Sequence, residues 1–118
     1  MPFDSIKLKN DPDGIHFGLY ANDYLTTVAS VFHDGDVYQF RKLATLLEAQ
    51  GKGYGSAMIA YIIDSVKVLK AKSLWCNARV SVAPFYSKFG FVEKGNHFTE
   101  NNIDFVIMEL ELGGTLVG

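Results

Sequence analysis

The feature that most constrains this chain is an abrupt change of periodicity across a glycine-rich stretch, Gln50-Gly51-Lys52-Gly53-Tyr54-Gly55-Ser56. Before it, the segments Ile15 to Ala21, Tyr24 to Phe32 and Val37 to Leu47 are rich in aromatic and β-branched residues and read as strands. After it, Ile59, Ile62, Ile63, Val66 and Leu69 recur at helical spacing, and the pattern predicts an amphipathic helix from Gly53 to about Lys70. A chain that passes from strands to a helix in this way buries one face of each element against the other, which makes it an α/β layer fold.

The linkers narrow the topology. Asn22-Asp23 and His33-Asp34-Gly35-Asp36 are too short for a parallel crossover, so the first three strands form an antiparallel meander. Asp11-Pro12-Asp13-Gly14 is a turn signal, and the residues before it have room for at most one short strand. Past the helix, Ser73 to Ala78 reads as a strand. Ser81 to Phe89 reads as a second helix, opened by Ser81, with Pro84 in its first turn and Gly90 as its stop. Phe91 to Lys94 and Ile103 to Leu112 read as the last two strands, with Gly95 to Asn102 as a loop and Gly113 to Gly118 as a frayed tail. All of this fits one domain over residues 1–118.

Composition excludes several functions. Eleven Lys and Arg against thirteen Asp and Glu give a net charge of −2, so there is no basic field to hold a nucleic acid. The longest strongly apolar run, Ala57 to Ile63, is far short of the ~20 residues that cross a bilayer, so no membrane partner is expected. The single cysteine, Cys76, has no disulfide partner, and the start of the chain shows no secretory pattern, which points to a reducing, cytoplasmic setting. Cys76 sits in an apolar run and reads as a buried, inert thiol. His16, His33 and His97 lack metal-ligand spacing, so no metal site is expected.

The chemistry is concentrated where strands hand over to helices. At the start of the first helix, backbone N–H groups without an intrahelical partner face outward at the positive end of the helix dipole, the makings of an anion site. Gly51, Gly53 and Gly55 let a phosphate approach the backbone, and Lys52 adds charge. A tight turn alone would also use these glycines. Two familiar phosphate loops do not fit: no Gly-Lys-Ser/Thr follows, and Gly-x-Gly-x-Gly is not Gly-x-Gly-x-x-Gly, nor is there a carboxylate near Leu74 and Trp75.

Gln50-Gly51-Lys52-Gly53-Tyr54-Gly55 instead resembles the Gln/Arg-x-x-Gly-x-Gly/Ala pyrophosphate loop of the GNAT superfamily of acyl-CoA-dependent N-acyltransferases. A second segment agrees: Trp75-Cys76-Asn77-Ala78-Arg79 and then Ala83-Pro84-Phe85-Tyr86-Ser87-Lys88-Phe89-Gly90-Phe91 resemble the next strand and helix of that family. Arg41-Lys42-Leu43-Ala44-Thr45 is similar to its pantetheine-binding strand, and the resemblance runs from about His16 to Leu112, with the ElaA-like branch the most similar subgroup.

The resemblance implies a mixed, mostly antiparallel sheet with two main helices, acetyl-CoA as the cofactor, and transfer of its acetyl group to a primary amine of a small molecule or peptide. It implies that backbone groups of Leu43 and Thr45 bind the pantetheine arm, and that Gln50, Gly51, Lys52, Gly53, Tyr54, Gly55 and Ser56 hold the pyrophosphate. Asn77 would point at the pantetheine gap, Lys88 would lie near the phosphates, and Tyr86 would act as general acid to the leaving thiolate, with a backbone N–H near Thr45 for the oxyanion. Glu48, His16, Asp104 and Glu109 are candidate bases without spacing support, and a water chain would serve equally.

The departure from the pattern lies before Ile15. The family places a strand and two helices there, and this sequence has only fourteen residues, so the expected fold is N-terminally shortened. The sheet face carrying Ile15, Phe17, Leu19, Leu25, Val31 and Phe32 is then expected to lie open and to drive formation of a homodimer. Three classes of function remain: an N-acetyltransferase, a catalytically silent acyl-CoA-binding module, and a protein-interaction domain without a ligand.

Overall fold

The computed structural model describes residues 3–113. Its strands are β1 (Ser5–Asp11), β2 (Gly14–Ala21), β3 (Tyr24–Asp34), β4 (Val37–Thr45), β5 (Ser73–Arg79), β6 (Val92–Glu100) and β7 (Ile103–Glu111). Helix α1 (Tyr54–Val68) joins β4 to β5, and the short helix α2 (Ala83–Ser87) joins β5 to β6. All strands form one sheet in the order β1-β2-β3-β4-β5-β7-β6, in which β4 and β5 are the parallel pair and the other neighbours run antiparallel. This is the mixed, mostly antiparallel α/β arrangement expected.

The turns follow from local chemistry. At the first, the Asp11 carboxylate accepts backbone N–H bonds from Asp13 (2.8 Å) and Gly14 (3.0 Å). Asn22-Asp23 and Asn101-Asn102 each place both residues at positive φ, the conformation that lets a two-residue turn follow the twist of a hairpin. Gly14 itself packs close to β3, where an added Cβ would lie 2.5 Å from the Val31 carbonyl oxygen.

The core lies on one side of the sheet. Met58, Ile59, Ile62 and Val66 of α1 are fully buried against Phe17, Leu19, Ala29, Val31 and Phe40. The helix predicted from periodicity is therefore the one that closes the core, and it starts one residue later than expected, with Gly53 as its N-cap.

Three expectations change. Phe17, Leu19 and Val31 are not an open face: they are 3%, 0% and 1% exposed beneath this chain's own helix. The sheet side left without a helix among the described residues is the opposite one, with His16, Ser30, Phe32, Gln39, Arg41 and Trp75. Second, most of the loop read at Gly95 to Asn102 is strand, since β6 runs to Glu100 with an irregularity between Lys94 and Phe98. Its side chains are largely exposed on both faces, so no alternation of polar and apolar residues announces it. Third, the segment read as one helix from Ser81 is a 3-10 turn, Val80–Val82, followed by the five-residue α2, and no side chain caps either. The tail from residue 114 onward lies outside the described residues.

Candidate active site

Strands β4 and β5 pair only through Val37, Tyr38 and Gln39, which meet Ser73, Leu74 and Trp75. Beyond Gln39 they diverge, and a cavity of about 580 Å³ opens between them. On the other flank of β4 the register with β3 slips by one: Ser30 pairs with Arg41 but Val28 pairs with Ala44, so β4 carries an extra residue. Lys42 takes φ 60° at this bulge. A bulge turns the strand and leaves a residue unpaired. From Phe40 to Thr45, then, β4 presents backbone groups to the cavity with no β5 partner, the arrangement that an extended ligand can complete as an added strand.

The cavity gathers residues from four segments. Leu43 and Thr45 come from β4, Asn77 from β5, Gln50 and Gly55 from the glycine loop and helix start, and Phe85 and Tyr86 from α2. The Gln50 side-chain amide donates to the Thr45 carbonyl at 3.2 Å and so ties the loop to the end of the strand.

A second hollow of about 280 Å³ continues from it along the loop, lined by Gly51, Gly53, Tyr54 and Ser56, with Thr45, Gln50, Gly55 and Phe85 shared between the two. Gly51 and Gly53 have φ of 79° and 83°, and a Cβ built on either would meet nothing within 4 Å. They are glycines for their backbone conformation, and the space beside them is open for a ligand. Helix α1 has no side-chain cap at its N-terminus and no acidic residue in its first turn. Its free N–H groups thus face the hollow at the positive end of the dipole.

Tyr86 is 8% exposed, its ring packed against Phe40 (5.6 Å between centroids), Phe85 (5.1 Å) and Phe91 (5.9 Å). Burial raises its phenol above the ordinary tyrosine value, and the neighbouring Cys76 adds to the shift. Cys76 is 2% exposed, and burial pushes its thiol up to about 12. Such a thiol stays protonated and is a poor nucleophile.

Other sequence candidates lie elsewhere. Lys88 lines a separate cavity with Pro84, Ser87 and Glu93, away from the loop. Lys52 lines a further hollow with Glu48 and Tyr24, and Tyr54 lines both that hollow and the one along the loop. None of the candidate bases lines the cleft: His16 bonds Ser30 Oγ (2.8 Å) and Asp11 (2.7 Å), Asp104 accepts from Thr99, and Glu109 faces Lys94. The lining has no carboxylate at all, and its charged members are Arg41, Lys42 and Arg79. Arg79 carried no signal as a lone residue; the alternation Cys76, Asn77, Ala78, Arg79 is what would have put it beside Asn77. Nothing in the sequence marks the bulge, because Lys42 is not a residue associated with positive φ. Among the described residues no group of three or more His, Cys, Asp or Glu could hold a metal, and no helix is long and apolar enough to cross a membrane.

Comparison with known proteins decides the family. Residues 6–112 match the acetyltransferase (GNAT) domain. The chain belongs to the GNAT acetyltransferase family. A curated relative, the uncharacterized N-acetyltransferase YitI of Bacillus subtilis, is 28% identical over 90 residues, covering 70% of this chain and 60% of its own length. The chain thus spans about 60% of that GNAT relative.

Solved structures share the fold. The ribosomal-protein-S18-alanine N-acetyltransferase of Escherichia coli aligns with TM-score 0.79 at 21% identity, over 90% of this chain and 74% of its own. A Bacillus subtilis acetyltransferase in complex with CoA aligns with TM-score 0.76 at 18% identity, over 91% and 97%. Escherichia coli ElaA aligns with TM-score 0.77 at 17% identity, over 86% and 70%, which puts that branch among the GNAT neighbours without setting it apart.

Proposed function

We propose that this GNAT domain transfers an acetyl group from acetyl-CoA to a primary amine. The observation that carries this reading is the splay of β4 from β5 over a cavity lined by both the start of the glycine-loop helix and Tyr86. The residues present suit the cofactor. The open cradle at Gly51 and Gly53 and the uncapped N-terminus of α1 match a pyrophosphate, β4 backbone at Leu43 and Thr45 without a β5 partner matches the amide groups of pantetheine, and no carboxylate lines either hollow.

Bound acetyl-CoA supplies an activated thioester. The amine nitrogen forms a bond to the acyl carbon, the carbon–sulfur bond breaks, the amine's proton passes to water, and the departing sulfur takes a proton from Tyr86. Tyr86 regains its proton from solvent. Burial makes a phenol a weaker acid, but the same surroundings make a thiolate a stronger base. Cys76 in the same wall shows the direction of that effect, its thiol raised by burial, so donor and leaving group shift the same way. The β4 backbone beyond the bulge at Lys42, through Leu43 to Thr45, lines the cavity without a β5 partner and supplies the N–H that stabilises the oxyanion in this reading. Asn77 orients the pantetheine arm, while Lys88 has no part in this reading because it lies apart from the cleft.

A single buried thiol suits the reducing cytoplasm, which we take as the setting. Association of two copies is supported only by the sheet side opposite α1, where Val28 is 38% exposed and Phe32 and Trp75 are partly so. Sedimentation equilibrium tests that point. The function itself is tested by mixing the protein with acetyl-CoA and a panel of primary amines and reading thiol release, with CoA binding measured separately by calorimetry. Binding without turnover of any amine would favour a silent acyl-CoA-binding module, and absence of binding a domain that serves protein contacts.

A further inference from the structure

Side chains alternate across β4 and β5, so the cleft has two sides. Phe40, Cys76 and Ala78 face the core with Tyr86, whereas Arg41, Asn77 and Arg79 project to the side without a helix, where all three are exposed. Arg41 also lines a cavity of about 460 Å³ on that side, together with Phe32, Val37, Gln39 and Trp75 and with His33 and Asp34 at the end of β3. It is the charged residue common to the two cavities.

The guanidinium of Arg41 is held in place. It lies 5.1 Å from the centre of the Phe32 ring, and one of its nitrogens donates to Gln39 Oε1 at 2.9 Å. Neither Arg41 nor Arg79 has a carboxylate partner among the described residues. Two acids of this side are paired with neither arginine: Glu109 lies 3.5 Å from Lys94, and Asp34, which also lines the second cavity, pairs with Val37, four residues along β4 from Arg41, roughly 13 Å at the rise of a strand.

Accepting the acetyl-transfer reading, on which this step rests, the amine has to reach the thioester through a mouth with cations and no anion. A polycationic acceptor is repelled at that mouth, whose lining holds Arg41, Lys42 and Arg79 and no carboxylate. We propose that the acceptor is a primary amine bearing its own carboxylate next to the amine, of the amino-acid type with a large apolar side chain, and that Arg41 reads the carboxylate. A planar guanidinium with one nitrogen already engaged still offers a fork of donors to a carboxylate. The side chain of the acceptor then lies in the adjoining cavity against Phe32 and Trp75.

The test compares matched pairs that differ only in the carboxylate, phenylalanine with phenethylamine and leucine with isopentylamine, plus spermidine as a polycation. Thiol release from acetyl-CoA gives kcat/KM for each, in the wild type and in Arg41→Gln. A second readout is calorimetric binding of the products, N-acetylphenylalanine and N-phenethylacetamide, to the CoA-saturated protein. The expected result is a preference of about tenfold or more for the carboxylated member, with spermidine poorest, and a preference within about twofold in Arg41→Gln. Because each comparison is a ratio within one protein, a general loss of activity in the variant cancels. Equal treatment of the pairs in both readouts, preference for spermidine, or a preference that survives Arg41→Gln overturns the proposal while CoA still binds. Failure of CoA to bind overturns the acetyl-transfer reading itself, and this assignment with it.

Discussion

Gln39 pairs with Trp75, and it is the last residue of β4 that pairs with β5 at all. One register step further the two strands have parted, and every feature of the cleft depends on that divergence: the edge of β4 at Leu43 and Thr45 left without a β5 partner, the exposure of Asn77, and the access that Tyr86 gains to the cavity between them.

The glycine cradle gives the most direct prediction. CoA at a hundredfold excess over its Kd should stabilise the protein by about 2.7 kcal/mol, visible as a raised thermal midpoint. Gly53→Glu places a strained, negatively charged side chain at φ 83° in the space left for phosphate, and should abolish the shift. A wild type whose midpoint ignores saturating CoA would remove the basis of the cofactor assignment.

Tyr86→Phe keeps the ring that fills the space between Phe40, Phe85 and Phe91 and deletes only the hydroxyl. CoA affinity should hold, while turnover on an established amine falls by about 10²-fold or more, the scale of a positioned general acid. Wild-type turnover in the variant would show that solvent protonates the thiolate.

Alkaline pH should expose the two buried acids. The folded values of Cys76 and Tyr86 are both raised, so the folded state holds protons that the unfolded chain releases. Their contribution is complete below the unfolded values and is lost as pH climbs, for Cys76 between 9.0 and about 12. Each group costs about 1.4 kcal/mol per pH unit across its window. Midpoints of urea unfolding measured upward from pH 8 should fall, and Cys76→Ala should fall less steeply; parallel curves for the two proteins would contradict the assignment.

Gly14→Ala tests the first hairpin. Its Cβ would meet the Val31 carbonyl oxygen at 2.5 Å and the Phe32 ring at 2.8 Å, and the first of these contacts is with backbone. A loss of about 1 to 3 kcal/mol is expected from overpacking, read by denaturant unfolding. Unchanged stability would mean that β2 and β3 separate easily there.

What the sequence by itself determined was everything written in short-range code. The 3.6-residue repeat of Ile59, Ile62, Ile63 and Val66 marked α1, the two-residue links marked the hairpins, and the glycines before α1 marked the turn that opens it. Polar β6 escaped because a strand exposed on both faces has no alternation to read. The tertiary structure alone decided which sheet face is covered, since Phe17 and Leu19 alternate identically whether α1 lies above or below them. It alone set the bulge at Lys42, the distance of Lys88 from the loop, and the meeting of Arg41 with the mouth of the cleft. These depend on how β4 leaves β5, a relationship between residues more than thirty positions apart, and local pattern carries no information about where two such strands stop pairing.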